Sequence, residues 1–284
     1  MIRHRTRQVH DENLDNHDRG LAFDVSMLMS RRRALQLLAV GGLTTLIGCG
    51  SSGTSSTTTG TATTAATTAA TTTPAAAAGE IPEETAGPYP GDGSNGVNVL
   101  TESGIVRRDI TSSFGSASGT AAGVPLEINL TILDVSRGGA PVGAAAVYLW
   151  HCDRDGQYSL YSSTVADQNY LRGVQVSDAN GKVSFASIYP GCYSGRWPHI
   201  HFEVYPRLAE ATAAGSKLVT SQIALPEDAC KLVYATSGYE QSVGNLAGTS
   251  LATDNVFGDG YSTQLGTVTG TVGAGMSVAL NVGV

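Results

Sequence analysis

Tyr189-Pro-Gly-Cys-Tyr193-Ser-Gly-Arg196-Trp-Pro198-His199-Ile-His201-Phe-Glu-Val-Tyr205 changes character halfway along. Its first half is punctuated by Pro-Gly and Ser-Gly, so Tyr193 is expected in a turn or loop. After Pro198 the pattern alternates as a strand does. Residues two apart on a strand share a face, so His199 and His201 project together beside a loop that delivers a phenol and a guanidinium. That arrangement suits a metal ion. A strand turning two polar residues to water has the same spacing, and spacing alone does not choose between them.

Outward from this stretch the chain reads as short strands. Leu126, Ile128, Leu130 and Ile132 alternate along Leu126–Leu133, and Ala145–Cys152 places Tyr148 and Trp150 on one face. Val174–Phe185 reads as two strands joined at Asn180-Gly181, a strong hairpin signal. His199–Tyr205, Lys217–Leu225 and Val272–Val282 add three more strands. A helix is expected from Pro226 through Ala235, with proline early and acidic residues in the first turn. The predicted fold is all-β: a sandwich of mostly antiparallel strands with one or two short helices, preceded by a disordered tether and occupying residues 80–284.

The N-terminal part reads differently. Ser30-Arg31-Arg32-Arg33 precedes an apolar run, Leu37–Gly48, too short to span a bilayer but of signal-peptide length. The paired arginines resemble a twin-arginine export signal. Leu46-Ile47-Gly48-Cys49 resembles a lipoprotein box, so residues 1–49 are expected to be removed up to Cys49, which would be acylated. Met1, Met27 and Met29 all remain open as the start. Residues 50–79 are almost wholly Ser, Thr, Ala and Gly and carry no charge, the composition of a disordered linker. The expected product is an exported bacterial lipoprotein, extracytoplasmic and held to the membrane only through Cys49.

Of 17 basic and 24 acidic residues, seven and five fall in residues 1–49, leaving 10 and 19 beyond residue 79. An acidic domain with no basic run is a poor nucleic-acid binder. Cys152, Cys192 and Cys230 are an odd three. One disulfide among them, or three small buried hydrophobes, fit equally well. All eleven tyrosines follow residue 80, and most suit a sheet. Tyr158, just past the turn sequence Asp153-Arg-Asp-Gly156-Gln, and Tyr193 instead sit at loop starts. A phenol holds its proton to about pH 10, but a trivalent cation strips it, and two phenolates with two imidazoles are donors suited to ferric iron.

Taken in order, Glu84-Thr85-Ala86-Gly87-Pro88-Tyr89-Pro90, Tyr148-Leu-Trp150-His-Cys-Asp153-Arg-Asp-Gly156-Gln-Tyr158, Leu171-Arg172-Gly173, Ile188-Tyr-Pro190-Gly191-Cys-Tyr193 and Arg196-Trp-Pro198-His199-Ile200-His201-Phe202 resemble the intradiol ring-cleavage dioxygenases, most nearly their protocatechuate 3,4-dioxygenase-like branch. The resemblance implies a mononuclear non-haem Fe(III) held by Tyr158, Tyr193, His199 and His201, with Tyr193 and His201 as the axial pair. It also implies that Arg196 and Gln222, with Trp150, line the substrate site, and that Tyr193 acts in catalysis by giving way to the substrate. The implied reaction opens a catechol-type diol with O2 to a cis,cis-muconate-type dicarboxylate. No nucleic acid enters. No helical dimerisation segment like that of some members is legible in residues 50–79, so the chain supplies the site alone or pairs with a copy as a homo-oligomer. A disulfide at Cys192 would stiffen the Tyr193 loop. Two other classes explain a surface location: a non-catalytic lipoprotein binding module, and an iron-scavenging protein on the same sandwich.

Overall fold

The structure is a computed structural model that describes residues 79–212 and 216–284. The export signal, Cys49 and all of the linker but Gly79 lie outside the described residues. Two sheets face each other. One has the order β2 (Ala140–Pro141), β1 (Pro125–Asp134), β9 (Gly275–Gly283), β8 (Thr267–Thr271), with β5 (Lys182–Ile188) also pairing with β1. The other is antiparallel throughout, in the order β4 (Arg172–Val176), β3 (Ala146–Trp150), β6 (His199–Tyr205), β7 (Val219–Ala224). The β1–β9 pair is parallel. The sandwich read from the sequence is therefore correct, as are β1, β3, β6 and β7 to within a few residues.

Alternation builds the core. Leu126, Ile128, Leu130 and Ile132 of β1 meet Val147 and Leu149 of β3 and Ile200, Phe202 and Val204 of β6, all buried. This is the inner apolar face that two stacked sheets require. The opposite face of the β4-β3-β6-β7 sheet is also covered. A strap from Glu80 to Val106 crosses it, packing Tyr89, Val99, Leu100 and Ile105 against Tyr148, Trp150, Val174 and Tyr205.

The Asn180-Gly181 hairpin is overturned. The turn exists: Gly181 N–H donates to Asp178 O at 2.9 Å, and Gly181 takes φ +73°. Its two strands, however, join different sheets, β4 pairing with β3 and β5 with β1. Ser177 starts the divergence, donating from its backbone to Ala145 O and from its hydroxyl to Val142 O, both at 2.8 Å. The turn is a corner of the sandwich.

The expected helix forms as α1 (Glu227–Tyr234), with Pro226 as N-cap and Ala229, Cys230, Val233 and Tyr234 buried. The helix α2 (Glu240–Ala247) was not read from the sequence beyond the allowance for another short one, nor was the single helical turn Leu208–Ala211. Cys152, Cys192 and Cys230 are buried free thiols, so of the two alternatives left open the unbridged one holds, and no disulfide stiffens the Tyr193 loop.

Candidate metal centre

Strand β6 supplies both imidazoles from its outer face, and two loops bring the phenols to them. The Tyr158 loop is shaped by Asp153, whose carboxylate accepts the Asp155 and Gln157 N–H groups at 3.0 and 2.9 Å while Gly156 takes φ +80°. The Tyr193 loop is tied to it directly, Gly191 N–H donating to Asp153 O at 2.9 Å. A Cβ at Gly191 would stand 2.4 Å from Arg154 O, so only glycine allows this approach. Helix α2 grips the same loop from behind. Ser242 Oγ accepts the Cys192 N–H at 2.9 Å, and Asn245 Nδ2 donates to Cys192 O at 2.7 Å.

The four side chains expected as ligands converge. Around His199 Nε2 lie His201 Nε2 at 3.1 Å, Tyr193 Oη at 3.3 Å and Tyr158 Oη at 3.4 Å. His199 Nδ1 lies 2.5 Å from Trp197 O, a contact that requires the proton on Nδ1 and leaves a lone pair on Nε2. Burial, and then the neighbouring Arg196, push His199 well below the usual histidine range. Burial does the same to His201, aided by His199. Burial pushes the Tyr158 phenol far up. The two imidazoles are therefore held neutral, and the Tyr158 phenol keeps its proton until a cation draws it off.

The donor set fits a ferric ion. Ionised, the phenols supply two negative charges against three positive, and all four donors are of the hard-to-borderline type. His201 Nδ1 is buried without a hydrogen-bond partner, so no protein contact selects its tautomer, and its Nε2 is not otherwise engaged outside the cluster. Among the described residues no group of three or more His, Cys, Asp or Glu is placed to hold a metal. The phenols are what complete this one.

Trp150, expected at the substrate, is wholly buried and lies flat against the His201 ring, centroids 4.8 Å apart and planes 7° apart. It meets the site through that imidazole. Gln222 is also fully buried, and acts as a bridge: Oε1 accepts from Arg196 Nη2 at 2.8 Å and Nε2 donates to Thr85 O at 2.9 Å. His151, next to the motif residues, stays apart, its nitrogens 2.7 Å from Cys152 O and Ser187 Oγ.

Sequence reading missed Asp254. Its carboxylate, fully buried, accepts from Arg196 Nε at 3.0 Å and from the Trp197 N–H at 2.7 Å, and also takes the Val256 and Phe257 N–H groups. Burial alone would loosen the Arg196 proton, but Tyr193 and Asp254 more than offset it and hold the guanidinium charged. With Nε and Nη2 occupied, Nη1 has no hydrogen-bond partner among the described residues. The local signal for Asp254 is the turn-prone Thr253-Asp254-Asn255, whose aspartate takes the N–H groups two and three residues on.

A family profile described as "Dioxygenase" matches residues 106–199, from the end of the strap to His199. Chlorocatechol 1,2-dioxygenase of Rhodococcus opacus is 40% identical over 55 residues, 19% of this chain and 21% of that protein. The intradiol ring-cleavage dioxygenase from Tetranychus urticae superposes with a TM-score of 0.54 at 25% identity, over 64% of this chain and 87% of that one. Over these stretches the chain is similar to the intradiol ring-cleavage dioxygenases. The match spans about a fifth of the curated relative's length. Of the residues gathered here, His201, Gln222 and Asp254 lie beyond the stretch matched by that profile, and the fold brings them back to it.

Proposed function

We propose that the chain opens the ring of a catechol-type diol between its two hydroxyl-bearing carbons, using O2 and a mononuclear ferric ion held by Tyr158, Tyr193, His199 and His201. The convergence of these four donors within 3.1–3.4 Å of His199 Nε2 carries the reading. When bound, ferric iron would hold both diol oxygens and draw electron density from the ring so that dioxygen can react with it. Both oxygen atoms enter the product, so no external reductant is needed, and the two hydroxyl protons end on the two carboxyl groups of a muconate-type product.

The chain's residues divide the remaining work. Tyr158 is buried and fixed, while Tyr193 is only partly buried. Tyr193 is thus the phenol positioned to give way to an incoming diol and to accept a hydroxyl proton. Arg196 presents Nη1 to negative charge that builds on the ring or its oxygens. Gln222 holds Arg196 and the strap in register. The strap closes one wall: a Cβ on Gly87 would lie 3.5 Å from His201 Cε1.

Measurement of iron content, of the visible phenolate-to-iron band and of oxygen uptake with catechol, protocatechuate and hydroxyquinol tests the reading. A coloured iron protein whose band shifts in Tyr158→Phe, and which consumes oxygen with at least one of these diols, is the expected result. An iron-free, colourless protein overturns it. A binding module or an iron scavenger would leave Arg196 and its buried partners without a task. Export through the twin-arginine-like signal and anchoring at Cys49 belong to the same proposal. Loss of membrane association in Cys49→Ser is the expected outcome.

A further inference from the structure

The charges around Arg196 bear on which diol fits. Among the described residues the guanidinium is the cationic side chain hydrogen-bonded into the centre's polar network, and Asp254 takes two of its nitrogens. Glu84, on the strap one residue before the Thr85 carbonyl that Gln222 holds, interacts with Arg196, and with Asp254 and Asp259 as well. Arg172 and Lys217 spend hydrogen bonds outside this network. Arg172 donates to Pro90 O, to the Ser159 hydroxyl and carbonyl, and to Tyr148 Oη. Lys217 sits between Asp92 and Glu203 at 2.7 and 2.5 Å. Two carboxyl groups, Asp254 and Glu84, therefore act on the guanidinium of the network, and a third, brought in on a ring, would meet like charge beside a cation already matched.

We propose that the site selects catechols with no anionic substituent on the ring, because Arg196 is already matched by Asp254 and flanked by Glu84. This rests on the ring-cleavage reading above, and it departs from the protocatechuate-like branch suggested by the motifs. In this arrangement Arg196 is a directed donor for the diol end of the substrate and is not a receptor for a ring carboxylate. Asp254 is a positioning residue that spends the guanidinium's charge while aiming Nη1.

The test uses the iron-loaded protein with catechol, protocatechuate and the methyl ester of protocatechuate, which keeps the bulk of the carboxylate without its charge. Equilibrium titrations under nitrogen accompany kcat/KM measurements in air. Protocatechuate is expected to bind and turn over at least about tenfold less well than its methyl ester. Glu84→Gln is expected to narrow that gap by about threefold, and Asp254→Asn by more. Should Asp254→Asn fail to fold, Glu84→Gln still decides. Equal or better handling of the acid than the ester, or a gap unchanged in Glu84→Gln, overturns the proposal. If none of the three is cleaved, the ring-cleavage reading falls separately. The nitrogen titrations then still support selectivity if the ester binds more tightly, and overturn it if the acid does.

Discussion

The two faces of β6 differ in every respect except burial. Ile200, Phe202 and Val204 point into the sandwich, while His199, His201, Glu203 and Tyr205 point the other way, and all seven are buried. The inner face is held by contact and volume. The outer face is held by partners: His199 to Trp197 O, Glu203 to Lys217 and Tyr205, and His201 beneath Gly87 with its back against Trp150. A single strand thus supplies both apolar packing for the fold and the two imidazoles of the candidate centre. Burial of the outer face depends on the strap and loops, because a polar face left to water could not hold phenols and imidazoles in fixed register.

That contrast can be broken one residue at a time. His201→Ala is expected to abolish iron retention and to lower ring cleavage by at least about 1,000-fold, about 4 kcal/mol of barrier. Its unfolding transition should move far less than that of Phe202→Ala, and elemental analysis with denaturant unfolding measures both. Phe202→Ala, one position away on the inner face, should cost about 3–5 kcal/mol of stability through the cavity it opens. Its iron stoichiometry in the folded fraction should be preserved. Lys217→Met sharpens the comparison at the far end of the outer face. It leaves the Asp92 and Glu203 carboxyl groups without their cation, and should cost about 1–3 kcal/mol, discounted because Lys217 is partly exposed. The smallest effect concerns pH. Burial, and then Asp259, push the Glu84 carboxyl up to about 7, against the pull of Arg196, with Gln264 and Asp254 also facing it. Glu84 is therefore neutral below that pH and anionic above it. The preference for the methyl ester over protocatechuate should grow a few-fold between about pH 6 and pH 8, and stay flat in Glu84→Gln.

The site was more legible than the topology. Alternation after Pro198 placed both imidazoles on one face, and the turn residues before Tyr158 and Tyr193 marked the loops that carry the phenols. Asn180-Gly181 also encoded its turn correctly. A turn signal is local, however, and it does not say which neighbour each arm will pair with; Ser177 decides that through bonds to Val142 and Ala145. Strand β8 was missed because Thr267–Thr271 is a largely exposed edge with no apolar face to read. Asp254 was invisible for a different reason. Its partner is 58 residues away, and no periodicity links a carboxylate in an irregular segment to a guanidinium in another. Trp150 and Gln222 were read as lining a substrate site, and only packing shows that Trp150 lies against His201 and Gln222 bonds Arg196.

The strap that roofs the centre begins where the chain leaves the Ser/Thr/Ala-rich stretch. At that point Glu80 bridges to Gly283 in parallel, and Ile81 N–H donates to Gly283 O at 3.0 Å. Any pull transmitted along the chain from ahead of Gly79 therefore reaches the final strand of the five-stranded sheet before it reaches Thr85. This junction acts as a strain relief, like the clamp on a cable.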